Sequence, residues 1–95
     1  MIQITLNIDF IDVNFPDISK VLSEVAEIKW LYPKKNISSL ITIESKNNNS
    51  YSIIYEFVFY FVNQSEMLEI IELSSTLDFE YDCNVKTYTM IHDDN

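Results

Sequence analysis

Three carboxylates alternate with apolar residues in the stretch LDFEYDC: Asp78, Glu80 and Asp82 stand between Leu77, Phe79, Tyr81 and Cys83. If this stretch is extended, the three acids line one side about 7 Å apart, because each strand residue advances the chain by about 3.3 Å. Phosphates repeat at a similar interval along a nucleic-acid strand. Such a row could imitate that backbone and dock into the basic groove of a nuclease, with opposite charge speeding the encounter. The plainer use of the same row is a solvated acidic edge that deters edge-to-edge aggregation.

Other chemistry fails on residue type. Asp78, Glu80 and Asp82 resemble the opening of a calcium loop, but Cys83 stands where that loop needs glycine and Thr89 where it needs a bidentate glutamate. One cysteine and one histidine, Cys83 and His92, cannot supply a conventional zinc site. Cys83 reads as a small core filler and His92 as a surface residue. Glu56, set among aromatics, is the best single candidate for a raised pKa, but nothing gives it a proton-transfer partner or a pocket. The chain has no glycine. That removes the phosphate-cradling P-loop, the dinucleotide-binding turn and the nucleophile elbow together. The sequence predicts neither an enzyme nor a cofactor or metal site.

Composition narrows the class further. Ninety-five residues, 47% of them hydrophobic, fit one domain spanning residues 1–95. Fifteen acids against six lysines and no arginine leave a net charge of −9. Phosphate grip depends on Lys and Arg, so direct nucleic-acid binding is disfavoured. The acidity is lopsided: residues 1–46 carry six acids and five lysines, residues 47–95 nine acids and only Lys86. The opening residues do not read as a leader, and the longest greasy run, YSIIYEFVFYFV, is shorter than the roughly 20 residues of a membrane helix. A cytoplasmic protein is expected, and a lone cysteine agrees with a reducing compartment.

The elements that must position these residues follow from hydrophobic period. MIQITLNIDFI alternates, with Ile2, Ile4, Leu6, Ile8 and Phe10 on one face, and predicts a strand covered on one side. FPDISKVLSEVAEIKWLYP changes to helical spacing through Ile18, Val21, Leu22, Val25 and Ile28, with Pro16 in the first turn and Pro33 as the stop. Trp30, Leu31 and Tyr32 then anchor the helix end. ISSLITIES and YSIIYEFVFYFV form a hairpin across Asn47, Asn48 and Asn49, residues that tolerate a left-handed turn. NQSEMLEIIELSS predicts a second helix, with Asn63 and Glu66 spaced as a capping box and Met67, Ile70, Ile71 and Leu77 along its stripe. Alternation from Phe79 to Ile91 predicts the last strand, bent near Asn84.

Strand, helix, strand, strand, helix, strand is the α+β, ferredoxin-like βαββαβ arrangement: a four-stranded antiparallel sheet in spatial order 4-1-3-2, with two helices on one face. Two helices roof only one face. If they cover Tyr51, Ile53, Tyr55, Phe57, Phe59 and Phe61, then Ile54, Glu56, Val58, Tyr60 and Val62 look outward. Leu40, Thr42 and Glu44 would lie beside them, with Lys86, Tyr88, Met90 and His92 on the last strand. A mixed face of tyrosines, methionine and scattered charge is interface-like.

The expected function is therefore that of a small acidic protein that binds and inhibits a basic partner protein, foremost a bacterial immunity protein neutralising a nuclease-type toxin. In that reading Asp78, Glu80, Asp82, Glu69 and Glu72 steer the partner, and Tyr60, Tyr88 and Met90, beside Glu56, supply contact area. The alternative is a phage-encoded, anti-CRISPR-like nucleic-acid mimic acting on a nucleic-acid-guided effector. A homodimeric interaction module, closed through the open sheet face and without an inhibitory target, is the second alternative.

Overall fold

The structure, a computed structural model, describes residues 1–31 and 36–92. Tyr32, Pro33 and the terminal residues 93–95 lie outside these, as does the side chain of Phe61. β1 spans Ile2–Asn14, and its alternation works as read: Ile4, Leu6, Ile8 and Phe10 are fully buried. Pro16, whose ring fixes its backbone near helical φ, sits in a short 3₁₀ turn, Phe15–Asp17, that leads into α1, Ile18–Ala26. Val21 and Val25 bury one face of α1.

α1 stops at Ala26, well before Pro33. Beyond it the chain descends in tight turns, with the Ile28 N–H donating to the Val25 carbonyl and the Leu31 N–H to that of Ile28. These turns bury Leu31 and lay Trp30 parallel to Phe59 at 6.5 Å between ring centroids.

β2, Ile37–Asn47, and β3, Ser50–Val62, form the hairpin, and Asn49 takes the left-handed conformation with φ 70°. Asn36, at the entry to β2, does the same with φ 59°. α2, Gln64–Ser74, begins with the capping box: the Asn63 side chain accepts from the Glu66 N–H, and the Glu66 carboxylate accepts from the Asn63 N–H. β4, Cys83–Ile91, completes a four-stranded antiparallel sheet in the order β2-β3-β1-β4. Val21, Val25 and Ile70 join Ile4, Leu6, Ile8, Phe10, Ile53, Tyr55, Phe57 and Phe59 in one buried cluster, so α1 and α2 share a face of the sheet.

Three expectations are corrected. The last strand starts at Cys83, not Phe79, because β1 pairs with β4 only as far as Phe10↔Cys83. The segment before it leaves the sheet plane to set Phe79 on Phe10. Val62 turns inward and is buried: Ile4 pairs with Phe59 but Ile2 with Val62, so β3 carries an extra residue there and its alternation flips. On α2 the stripe is narrower than read, since Ile71 is exposed and Leu77 lies beyond the helix end.

Candidate functional site

The sheet separates two surfaces of different chemistry. On the helical side, α1 and the segment 77–82 form a cleft of about 250 Å³ lined by Glu24, Glu27, Ile28, Leu77, Asp78, Phe79 and Glu80. The Glu80 N–H donates to Glu24 Oε2 at 3.2 Å, tying the segment to the helix. Although these residues are not a strand, their exposure still alternates: Asp78, Glu80 and Asp82 face solvent while Leu77, Phe79, Tyr81 and Cys83 are half-buried. Hydrophobic anchoring, not sheet pairing, holds the acid row outward. Glu69 and Glu72 are exposed on α2. Residues 15–31 and 63–82, which make up this side, carry nine carboxylates against Lys20 and Lys29, a net −7. Lys20 is already engaged, 3.7 Å from the Asp17 carboxylate.

That field reaches its titratable neighbours. Burial raises the Cys83 thiol above its ordinary pKa, and Asp82, Asp78 and Glu24 raise it further. Tyr81 is raised as well, by desolvation first, then by Asp17, which also hydrogen-bonds the phenol, and by Glu80 and Glu24. Each shift disfavours one more negative charge in an acidic neighbourhood.

Among the described residues, no helix lies over the opposite face. Register places Leu40, Glu56, Asn7 and Lys86 in one row across the sheet, and Ser38, Val58, Thr5 and Tyr88 in the next. Val58, near the centre, is 8% exposed, walled in by its neighbours, whereas Tyr88 and Met90 are each 54% exposed. The Tyr60 and Ser38 hydroxyls approach to 3.5 Å. Glu56 is exposed between Asn7 and Leu40. Asp9 Oδ1 and, at the far end, His92 Nε2 are buried atoms without a hydrogen-bond partner among the described residues.

The residues singled out by sequence thus divide. Asp78 and Glu80 meet Glu24 and Glu27 on the helical side, where Glu69 and Glu72 also lie. Tyr60, Tyr88, Met90 and Glu56 occupy the sheet face, so one flat partner cannot touch both groups. Glu24 and Glu27 of α1 are the acids the fold adds to the row. Ile41 and Ile43 of β2 were not foreseen as a surface; they lie on the helical side yet are exposed, because α1 and α2 are too short to roof the outer strand. Among the described residues, no three or more His, Cys, Asp or Glu side chains are placed to hold a metal ion. No helix among them is long and apolar enough to cross a membrane.

No family model matches the chain, and neither does any curated protein. Among solved structures, "De novo designed protein Foldit4" superposes with a TM-score of 0.54 at 8% identity, covering 97% of this chain and 98% of its own. The likeness is one of fold.

Proposed function

We propose that this chain is a small acidic protein that binds and inhibits a more basic protein through its helical side. The supporting observation is the net −7 carried by the helical-side residues 15–31 and 63–82. A charge field of this kind speeds the approach of a basic surface and orients it before contact. Glu24, Glu27, Asp78 and Glu80 frame the cleft that would receive a lysine or arginine of the partner, with Asp82, Glu69 and Glu72 extending the field on either side.

The biological role we assign is that of a bacterial immunity protein, working in the cytoplasm to neutralise a nuclease-type toxin. Such a toxin has a basic, phosphate-binding groove for the acid row to occupy. In the same reading the βαββαβ chain is a ferredoxin-like fold, an architecture that hosts many activities and implies none.

Association kinetics with a basic nuclease encoded beside this gene test the proposal. At low salt, Glu24→Lys, Glu27→Lys, Asp78→Lys and Glu80→Lys together should slow association by about tenfold or more and flatten its salt dependence. An unchanged association rate at low salt sinks the steering role. Binding to a nucleic-acid-guided effector and not to a toxin would move the same surface to the anti-CRISPR-like role.

A further inference from the structure

We infer that a second copy of this chain covers the open sheet face, pairing two sheets back to back in a four-layer dimer with the acidic helical sides outermost. Charge argues for this occupant. The open face holds Asp9, Asp12, Glu44 and Glu56 against Lys86, and Lys46 lines the hollow beside Asp9 and Ile54, so the face carries only −2 against −7 on the helical side. A basic partner is drawn to the other side, where the charge is. A second copy of a −9 chain meets the least repulsion through this face.

Size argues likewise. Two strands of 13 residues, one of 11 and one of 9 make a sheet face of about 700 Å², taking about 3.3 Å per residue and 4.8 Å between strands. Specific, stable interfaces bury about 600–1,000 Å² of accessible surface on each partner. The face is therefore large enough, and Val58, Tyr88, Met90 and Leu40 give it the apolar content of a sheet-on-sheet contact.

Sedimentation equilibrium across the micromolar range tests the dimer, with circular dichroism confirming the fold of each variant. The parent should sediment at twice the 11.2 kDa chain mass. Tyr88→Glu with Met90→Glu, at positions already exposed and therefore tolerated by the fold, should return it to one chain mass. Leu68→Glu, exposed on α2, should leave the dimer intact. A monomeric parent overturns the inference, as does a dimer that survives the double variant or dissociates in Leu68→Glu. These readouts do not involve the basic partner, so they stand apart from the test of inhibition.

Discussion

Phe79 sets its ring edge-on to Phe10 with 5.1 Å between centroids. Phe10 is fully buried in β1, so the contact pins the segment 77–82 to the core at the point where β4 has not yet begun. Asp78 and Glu80 point outward because Phe79 points inward. Phe79→Ala should cost about 2 kcal/mol, less than the loss of a fully buried phenylalanine, since this ring is only partly buried. It should also release the Glu80 amide from Glu24. Chemical denaturation reads the first effect and hydrogen exchange at the Glu80 amide the second; a Glu80 amide that stays protected would show that the anchor lies elsewhere.

The Asn63–Glu66 capping box starts α2 where no tertiary contact is needed to define the start. Asn63→Ala leaves the Glu66 N–H without its side-chain acceptor and should cost about 1 kcal/mol, while Asn63→Asp or Asn63→Ser should cost little. The urea midpoint measures all three. Equal losses for Ala and Ser would mean that packing, not capping, sets this helix end.

What the sequence made legible follows the range of each interaction. The capping box, the strand alternation of Ile4 to Phe10 and the asparagine turn depend on neighbours along the chain and emerge as read. The seating of Trp30 on Phe59, the late start of β4 where Phe79 reaches Phe10, and the inward turn of Val62 at an extra residue in one strand of a ladder are set by distant partners. None of these long-range choices leaves a periodic trace. The division of the candidate site is of the same kind. Acids and tyrosines both stood out by type, but only the fold puts a sheet between them and gathers Glu24 and Glu27 to Asp78 and Glu80.

Asn49 stands at φ 70°, and its carbonyl accepts the Phe15 N–H at 3.2 Å, so the hairpin turn also holds the exit of β1. Glycine adopts this conformation without penalty, whereas a β-branched residue resists it. Asn49→Gly should leave the thermal midpoint within a degree or two, and Asn49→Val should lower stability by about 1–2 kcal/mol. A tolerated valine would mean that the turn rearranges freely.

The Cys83 thiol sets a pH dependence whose sign is determined by its environment. Its pKa is raised in the folded protein by burial, Asp82, Asp78 and Glu24, so the folded state holds a proton that the unfolded state gives up. The stabilisation is complete below the ordinary thiol range and is lost as pH rises through it to the raised folded value. Alkylation at mildly alkaline pH should be slower in the native protein than in urea, and Cys83→Ala should remove part of the alkaline loss of stability. An alkaline profile identical in that variant would assign the loss to other groups, of which Tyr81, also raised, is the next to test.

Salt should stabilise this protein, contrary to the behaviour of a fold held by surface ion pairs. Nine carboxylates and two lysines share the helical side, and the Glu80 amide and Glu24 carboxylate already lie in hydrogen-bond contact, so folding gathers like charges that the unfolded chain keeps apart. The screening length shrinks from about 10 Å at 0.1 M salt to about 3 Å at 1 M, which removes repulsion between carboxylates on adjoining turns. A relief of about 1 kcal/mol would raise the thermal midpoint by about 4–8 °C in a domain of this size. Calorimetry in sodium chloride measures it. Chloride near the middle of the ion series separates screening from salting-out, and Glu27→Lys, exposed on the cleft rim, should reduce the gain. A midpoint that falls with salt would mean that attraction outweighs repulsion on this surface, and the acidic side could not then act as an unneutralised field for a basic partner.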